Sequence, residues 1–228
     1  MISKVTIRGS LDYKEILSIQ TEEFEKRVNL KKIGKDIPED IIFFVEHRPV
    51  YTLGKHGKHS NLLLSQAQLE SNGIEYVEID RGGDITYHGP GQLTVYPVMD
   101  LQRYRLGVKD YVHLLEESVI QTLYEYGLKG ERVDGKTGVW IGKGTDNERK
   151  ISAIGVKLSR FISMHGLSLN IGSDISKFGG IVPCGLSNIV TSISLELQKE
   201  IGIEEVEEIL WNKLIGLLLP RIPSQGNS

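Results

Sequence analysis

The chain holds a single cysteine, Cys184, set between Pro183 and Gly185. A thiol presented by such a turn is suited to accepting an acyl group from a thioester. One thioester replaces another at little change in free energy, and later attack by an amine gives an amide, downhill and without ATP. The thiolate is the reactive form, and an unperturbed thiol with a pKa of about 8.5 stays mostly protonated at neutral pH. A neighbouring base or cation is therefore required. Lys150, Lys157, His88 and His165 are the candidates, and a Cys–His pair is the usual arrangement from chemistry alone. The plainer reading of a lone cysteine is a small, inert, buried hydrophobe.

A second cluster of chemistry lies at Arg81-Gly82-Gly83-Asp84-Ile85-Thr86-Tyr87-His88-Gly89-Pro90-Gly91-Gln92. Its glycines permit close approach of backbone to a ligand, and Arg81, Thr86, Tyr87, His88 and Gln92 supply hydrogen-bonding groups at the same place. It reads equally as a substrate loop or as a wide connection with turn glycines. Two other motifs lead away from the chemistry. Gly130 to Thr137 matches a phosphate-loop pattern, but a helical segment precedes it and a strand follows, the reverse of the strand–loop–helix order that places an anion on a helix N-terminus. His56-Gly57-Lys58-His59 offers two histidines without further ligands, a thin case for metal, and reads as a solvated loop. His47 and His113 read as ordinary surface or core residues.

The surrounding pattern shows what must position these groups. Residues 4–8 alternate as a strand, and a helical pattern starts at Ser10, with Tyr13, Ile16, Leu17, Phe24 and Val28 at turn spacing. Ile41–Glu46, Ile74–Ile79 and Leu93–Leu101 read as strands, and Leu63–Ser71 as a short helix. Lys109–Tyr126 is the clearest helix, with Tyr111, Leu114, Leu115, Val119 and Leu123 on one side. Strands follow at Gly138–Ile141, Lys150–Leu158 and Phe161–Asn170, with a polar hairpin loop over Gly142–Arg149. Asp174–Gly185 reads as irregular, Val190–Leu197 as a strand and Ile203–Leu218 as an amphipathic helix. Strands come in runs rather than in strict alternation with helices, which predicts an α+β fold with mixed sheets and flanking helices. Residues 1–219 read as one catalytic domain and 220–228 as a tail.

The 228 residues suffice for a core without disulfides or structural metal. A net charge of −3 argues against a broad nucleic-acid footprint but leaves room for a local basic patch facing an acidic protein. One cysteine, no apolar signal region and no long apolar run suggest a cytoplasmic protein without a membrane span.

Three blocks together resemble the octanoyltransferases of lipoate biosynthesis (lipoyl-acyl-carrier-protein:protein transferases). They are Arg81–Gln92; Lys150-Ile151-Ser152-Ala153-Ile154-Gly155 with His165-Gly166-Leu167-Ser168-Leu169-Asn170; and Ile181-Val182-Pro183-Cys184-Gly185. The resemblance spans about residues 45–195 and implies a fold like that of biotin and lipoate protein ligases. By the same resemblance Cys184 is the nucleophile that carries the acyl group. Lys150 is the lysine that lowers its pKa and serves as acid and base, in place of the histidine expected from chemistry alone. Arg81, Gly82, Gly83, Asp84, Ile85, Thr86, Tyr87 and His88, Ala153, Ile154 and Gly155, and Gly166, Leu167 and Ser168 correspond to the acyl and pantetheine pocket. No metal or cofactor is implied. The donor would be octanoyl-acyl carrier protein, and the acceptors apo lipoyl domains of 2-oxoacid dehydrogenases and the glycine-cleavage H protein, with the enzyme acting as a monomer. The loop Gly142–Arg149 is longer than that family suggests, and Asp84 and Ser168 are departures flanking the pocket. Rivals are an ATP-dependent lipoate or octanoate ligase on the same fold, which needs no cysteine, an amidotransferase with its cysteine elsewhere, and a non-catalytic acyl-binding module.

Overall fold

In the computed structural model, which describes residues 2–182 and 189–222, strand β1 (Ile2–Leu11) leads into helix α1 (Tyr13–Lys32). The helix starts three residues later than the pattern at Ser10 suggests, because the Asp12 side chain accepts the Lys14 N–H at 2.8 Å and caps it. Then come β2 (Asp40–His47), β3 (Val50–Leu53), α2 (Gln66–Ser71), β4 (Glu75–Glu78), β5 (Ile85–His88) and β6 (Gln92–Val98). Helix α3 (Val108–Glu125) precedes β7 (Gly130–Val133), β8 (Lys136–Ile141), β9 (Arg149–Ser159) and β10 (Ile162–Asn170). Strand β11 (Ile189–Val190), α4 (Ile193–Leu197) and α5 (Ile203–Leu218) complete the order.

The large sheet runs β1-β2-β6-β10-β9-β8-β7, parallel between β1 and β2 and antiparallel thereafter, with β11 added parallel to the start of β9. A small sheet, β4-β3-β5, is mixed. The expected α+β class with mixed sheets is therefore the observed one.

Helix α3 buries Tyr111, Leu114, Leu115, Val119 and Leu123, and with Val206, Leu210, Leu214 and Leu218 of α5 it closes one face of the large sheet. Each such side chain removed from water contributes about 1.5–3 kcal/mol. On the opposite face Ile16 and Phe24 of α1 pack on Phe43, Val45, Tyr96, Val98, Ile162 and Met164. The small sheet has its own core of Tyr51, Leu53, Leu69, Ile85, Tyr87 and Ile181.

Three further sequence expectations change. The segment 85–88, read as loop, is strand β5 paired to β3, because Ile85 and Tyr87 alternate into the small core. Val190–Leu197 is not one strand. After Val190 the Ser192 hydroxyl accepts the Leu195 N–H and starts α4, and Glu196 of that turn accepts from Arg149 Nε at 2.6 Å and from the Thr191 hydroxyl. The alternation Val-Thr-Ser-Ile-Ser-Leu imitates a strand, but the cap and the ion pair decide the local structure. Within Asp174–Gly185, Ile175–Gly180 forms a 3-10 turn whose start is capped by Asp174. The phosphate-loop match is a β7–β8 hairpin turning at Asp134-Gly135, with no helix for an anion to sit on.

Candidate active site

A cavity of about 610 Å³ opens between the 81–88 segment, β9 and β10, a size typical of small-molecule sites. Ala153, Ile154 and Gly155 line it from β9, and Gly166, Leu167 and Ser168 from β10. Arg81, Gly82, Gly83, Asp84, Ile85, Thr86 and His88 line it from the Gly-rich block, and Lys150 stands in the same wall. Tyr87 is the exception. Its ring is buried against Tyr51 and Phe178, so it supports β5 rather than facing the cavity. Sequence reasoning did not select Tyr13, Tyr96, Val112, Trp140 and Phe178, which also line the space. Their aromatic and branched side chains read as ordinary core.

Local geometry explains how the walls meet. Gly82 N–H donates to the Val156 carbonyl at 3.0 Å, laying the 81–83 loop on β9. A Cβ at Gly155 would come within 2.6 Å of the Gly82 carbonyl oxygen, so only glycine allows this approach. Lys150 owes its position to a bulge. Val139 faces Ser152 while Trp140 faces Lys150, which leaves Ile151 as an extra residue on β9. Ile151 enters the core, and Lys150 Nζ lies 4.9 Å from the Trp140 ring centroid, a cation–π contact.

A chain of buried hydrogen bonds joins the sequence blocks. Arg81 Nη2 donates to Thr52 Oγ1 at 3.0 Å and to the Thr52 carbonyl at 2.8 Å. The Thr52 hydroxyl donates to His88 Nε2 at 3.5 Å, and His88 Nδ1 donates to Gln92 Oε1 at 2.7 Å. Gln92 Nε2 donates to Asn170 Oδ1 at 2.8 Å, and Asn170 Nδ2 to the Thr191 carbonyl at 3.0 Å. Thr191 N–H donates to the Lys150 carbonyl at 2.9 Å. Because Gln92 uses its amide nitrogen on Asn170 and on the Tyr87 carbonyl, its oxygen is left to accept. That fixes the proton of His88 on Nδ1. Burial pushes His88 down to about 3, so the ring is neutral at pH 7. Burial likewise takes His47, which shares a hydrogen bond with the Tyr96 hydroxyl, to about 4.

Behind His165, which lines the cavity, Asp80 receives Lys157 Nζ at 2.5 Å and His165 Nε2 at 3.3 Å. The bonds from His165 and Lys157 hold the Asp80 carboxyl well below the usual range, while burial lowers His165. His165 has φ of +59°, a strained conformation for a residue with a side chain, of the kind that clusters at functional sites. Lys157, His88 and His165 each make structural bonds, and Lys150 sits against the Trp140 ring. Cys184, with Pro183 and Gly185, lies outside the described residues. On one side of it Ile181 bridges to Leu62 and Val182 N–H donates to the Asn61 carbonyl. On the other, Val190 pairs with Lys150.

The fold and site define a class: a mixed sheet beside a cavity of about 610 Å³ with an amine in its wall. The chain belongs to the family of the lipoyl protein ligase A/B catalytic domain, whose model matches residues 13–215. It is 48% identical over 219 residues to an octanoyltransferase of Christiangramia forsetii, covering 92% of this chain and 94% of that one. It is 50% identical to an octanoyltransferase of Parabacteroides distasonis, with shares of 92% and 94%. Among solved structures it resembles a bipartite lipoate protein ligase of Thermoplasma acidophilum, with a TM-score of 0.68 at 15% identity over 95% of this chain and 82% of that one. It also resembles lipoate-protein ligase A bound with ATP, with a TM-score of 0.69 at 15% identity over 95% and 85%. The fold is thus that of lipoate protein ligases, as the resemblance implies. No described helix is long and apolar enough to cross a membrane.

Proposed function

We propose that this protein is an octanoyltransferase that moves an octanoyl group from octanoyl-acyl carrier protein to a lysine of apo lipoyl domains, in 2-oxoacid dehydrogenases and the glycine-cleavage H protein, by way of Cys184. The observation that carries the reading is the position of Lys150. It stands at a bulge in the cavity wall, beside the strand that the chain enters five residues after Cys184.

The reaction runs in two halves. The Cys184 thiol gives its proton to the Lys150 amine, or meets Lys150 as an ammonium that stabilises the thiolate. Sulfur attacks the octanoyl carbonyl carbon, the donor C–S bond breaks, and the departing thiolate takes a proton from Lys150. The acceptor lysine then attacks the Cys184 thioester, losing its proton to Lys150, and the new C–N bond forms as the C–S bond breaks. The walls from Ala153 to Gly155 and Gly166 to Ser168, with the Gly-rich block, hold the acyl chain and the pantetheine arm.

The test is transfer by purified protein from octanoyl-acyl carrier protein to an apo lipoyl domain without nucleotide. Octanoylated acceptor in the absence of ATP is expected. Transfer from free octanoate only when ATP is present would replace this reading with the ligase.

A further inference from the structure

We infer that the loop around Lys55 and Lys58 is the docking surface for the acidic protein that presents the acyl thioester; this rests on the octanoyl-transfer reading. The loop contains the two-histidine segment that has no part in the chemistry above. It sits on the outer side of the cavity rim, built onto it by backbone bonds. Gly54 N–H donates to the Asp84 carbonyl at 3.3 Å, Lys55 N–H to the Arg81 carbonyl at 3.0 Å and His56 N–H to the Gly83 carbonyl at 3.2 Å. Arg81, Gly83 and Asp84 all line the cavity. The next residues run to the nucleophile's approach. Asn61 donates to the Asp84 carboxylate at 2.6 Å, its carbonyl accepts the Val182 N–H at 2.8 Å, and Cys184 is two residues on.

The side chains of this loop face water. Lys55, His56, Lys58 and His59 are exposed. Among the described residues no ion pair joins a carboxylate to Lys55 or Lys58; Lys177, on the 3-10 turn that packs against β5, adds a cation whose field helps lower the Asp174 carboxyl. Of the nearby acids, Asp84 holds Asn61 and the Ile85 N–H, Asp174 caps the turn, and Glu78 lies 3.9 Å from His59 of the loop itself. In a chain with net charge −3, Lys55 and Lys58 form a local pair of exposed cations beside the cavity. An arm delivered over it reaches the cavity beside the segment that leads to Cys184. The complementary partner is a protein whose surface is acidic around the point where a phosphate-linked thioester arm emerges. Rim charges of this type govern encounter rate and salt dependence more than the chemical step.

The experiment compares two donors, octanoyl-acyl carrier protein and octanoyl-pantetheine, with wild type and the double variant Lys55→Glu/Lys58→Glu. Both lysines are exposed, so the variant is expected to melt with wild type. KM for the carrier-protein donor should rise about tenfold, with kcat within about twofold, as for removal of rim charges. The wild-type dependence of that KM on salt, from about 50 to about 500 mM, should flatten in the variant. KM for octanoyl-pantetheine should not change. An unchanged KM for the carrier protein, an equal rise for both donors, or a rise only in KM for the lipoyl domain would overturn the assignment. No transfer by wild type from either donor would instead remove the octanoyl-transfer reading itself.

Discussion

Gly155→Ala tests whether the approach of the 81–83 loop to β9 sets the active geometry. The added methyl carbon would stand 2.6 Å from the Gly82 carbonyl oxygen, where ordinary contact begins at 3.4 Å. The loop must therefore withdraw by about 0.8 Å or β9 must give way, and Arg81 Cδ, 3.0 Å from the same methyl, cannot relieve the clash alone. Withdrawal strains the Gly82–Val156 hydrogen bond and moves Arg81 relative to Lys150, because both belong to the same cavity wall. Overpacking of this kind costs about 1–3 kcal/mol of stability. A displacement near 1 Å in a catalytic site can cost about 100-fold in rate. Steady-state kinetics with octanoyl-acyl carrier protein, beside urea denaturation, separate the two effects. The variant is expected to fold, with a midpoint lowered in proportion to that stability loss, and to lose about two orders of magnitude in kcat/KM. Wild-type activity in a folded Gly155→Ala protein would refute the claim that this contact positions the site.

Four further outcomes follow from the geometry. Asn170→Ala removes the link between Gln92 and the Thr191 carbonyl, leaves a buried acceptor unpaired, and should cost about 1–3 kcal/mol in denaturant unfolding along with slower transfer. Leu115→Ala, fully buried under α5, should cost about 2–5 kcal/mol while leaving KM for both substrates unchanged. His47 and His88, held neutral with pKa values of about 4 and 3, bind fewer protons folded than unfolded below about pH 6.5, so their contribution is complete above that pH and is lost as pH falls. Going from about pH 7 to about pH 5 should therefore lower the unfolding free energy by about 2–4 kcal/mol, and a His88→Gln variant should show a shallower decline. Asp80→Asn, which removes the carboxylate partner of Lys157 and His165, should raise KM for the acyl donor several-fold with a smaller change in kcat; an unchanged KM would deny Asp80 a positioning role.

Periodicity made α3 and α5 legible, because their buried residues recur every three to four positions on a single face. The long strands β9 and β10 were legible from β-branched and apolar runs. Of the small sheet only β4 was legible, within the strand read at Ile74–Ile79. Strands β3 and β5 have four residues each, and β5 lies inside a glycine-rich block whose composition reads as loop. Val190–Leu197 misled because a polar–apolar alternation concealed the Ser192 cap. At the site, the resemblance of the Gly-rich block and of stretches in β9 and β10 to the octanoyltransferases pointed to the cavity walls. The aromatic contributors did not, because Tyr13 and Trp140 carry the pattern of a helix face and a strand face. The hydrogen-bond chain from Arg81 to Thr191 joins residues far apart in sequence, and only the packing of two sheets brings them together. A bulge that aims Lys150 into the cavity likewise depends on a partner strand, which no single-strand pattern specifies.

The central claim is that Cys184 carries the acyl group and that Lys150 activates it. Intact-mass measurement in a single turnover with octanoyl-acyl carrier protein and no acceptor addresses it directly. Wild type should gain one octanoyl group, removable by hydroxylamine and discharged on adding apo lipoyl domain; Cys184→Ser should form no hydroxylamine-labile adduct, and Lys150→Ala should acquire the adduct at least tenfold more slowly. An undiminished labile adduct on Cys184→Ser, or wild-type rates of both half-reactions in Lys150→Ala, would contradict the account.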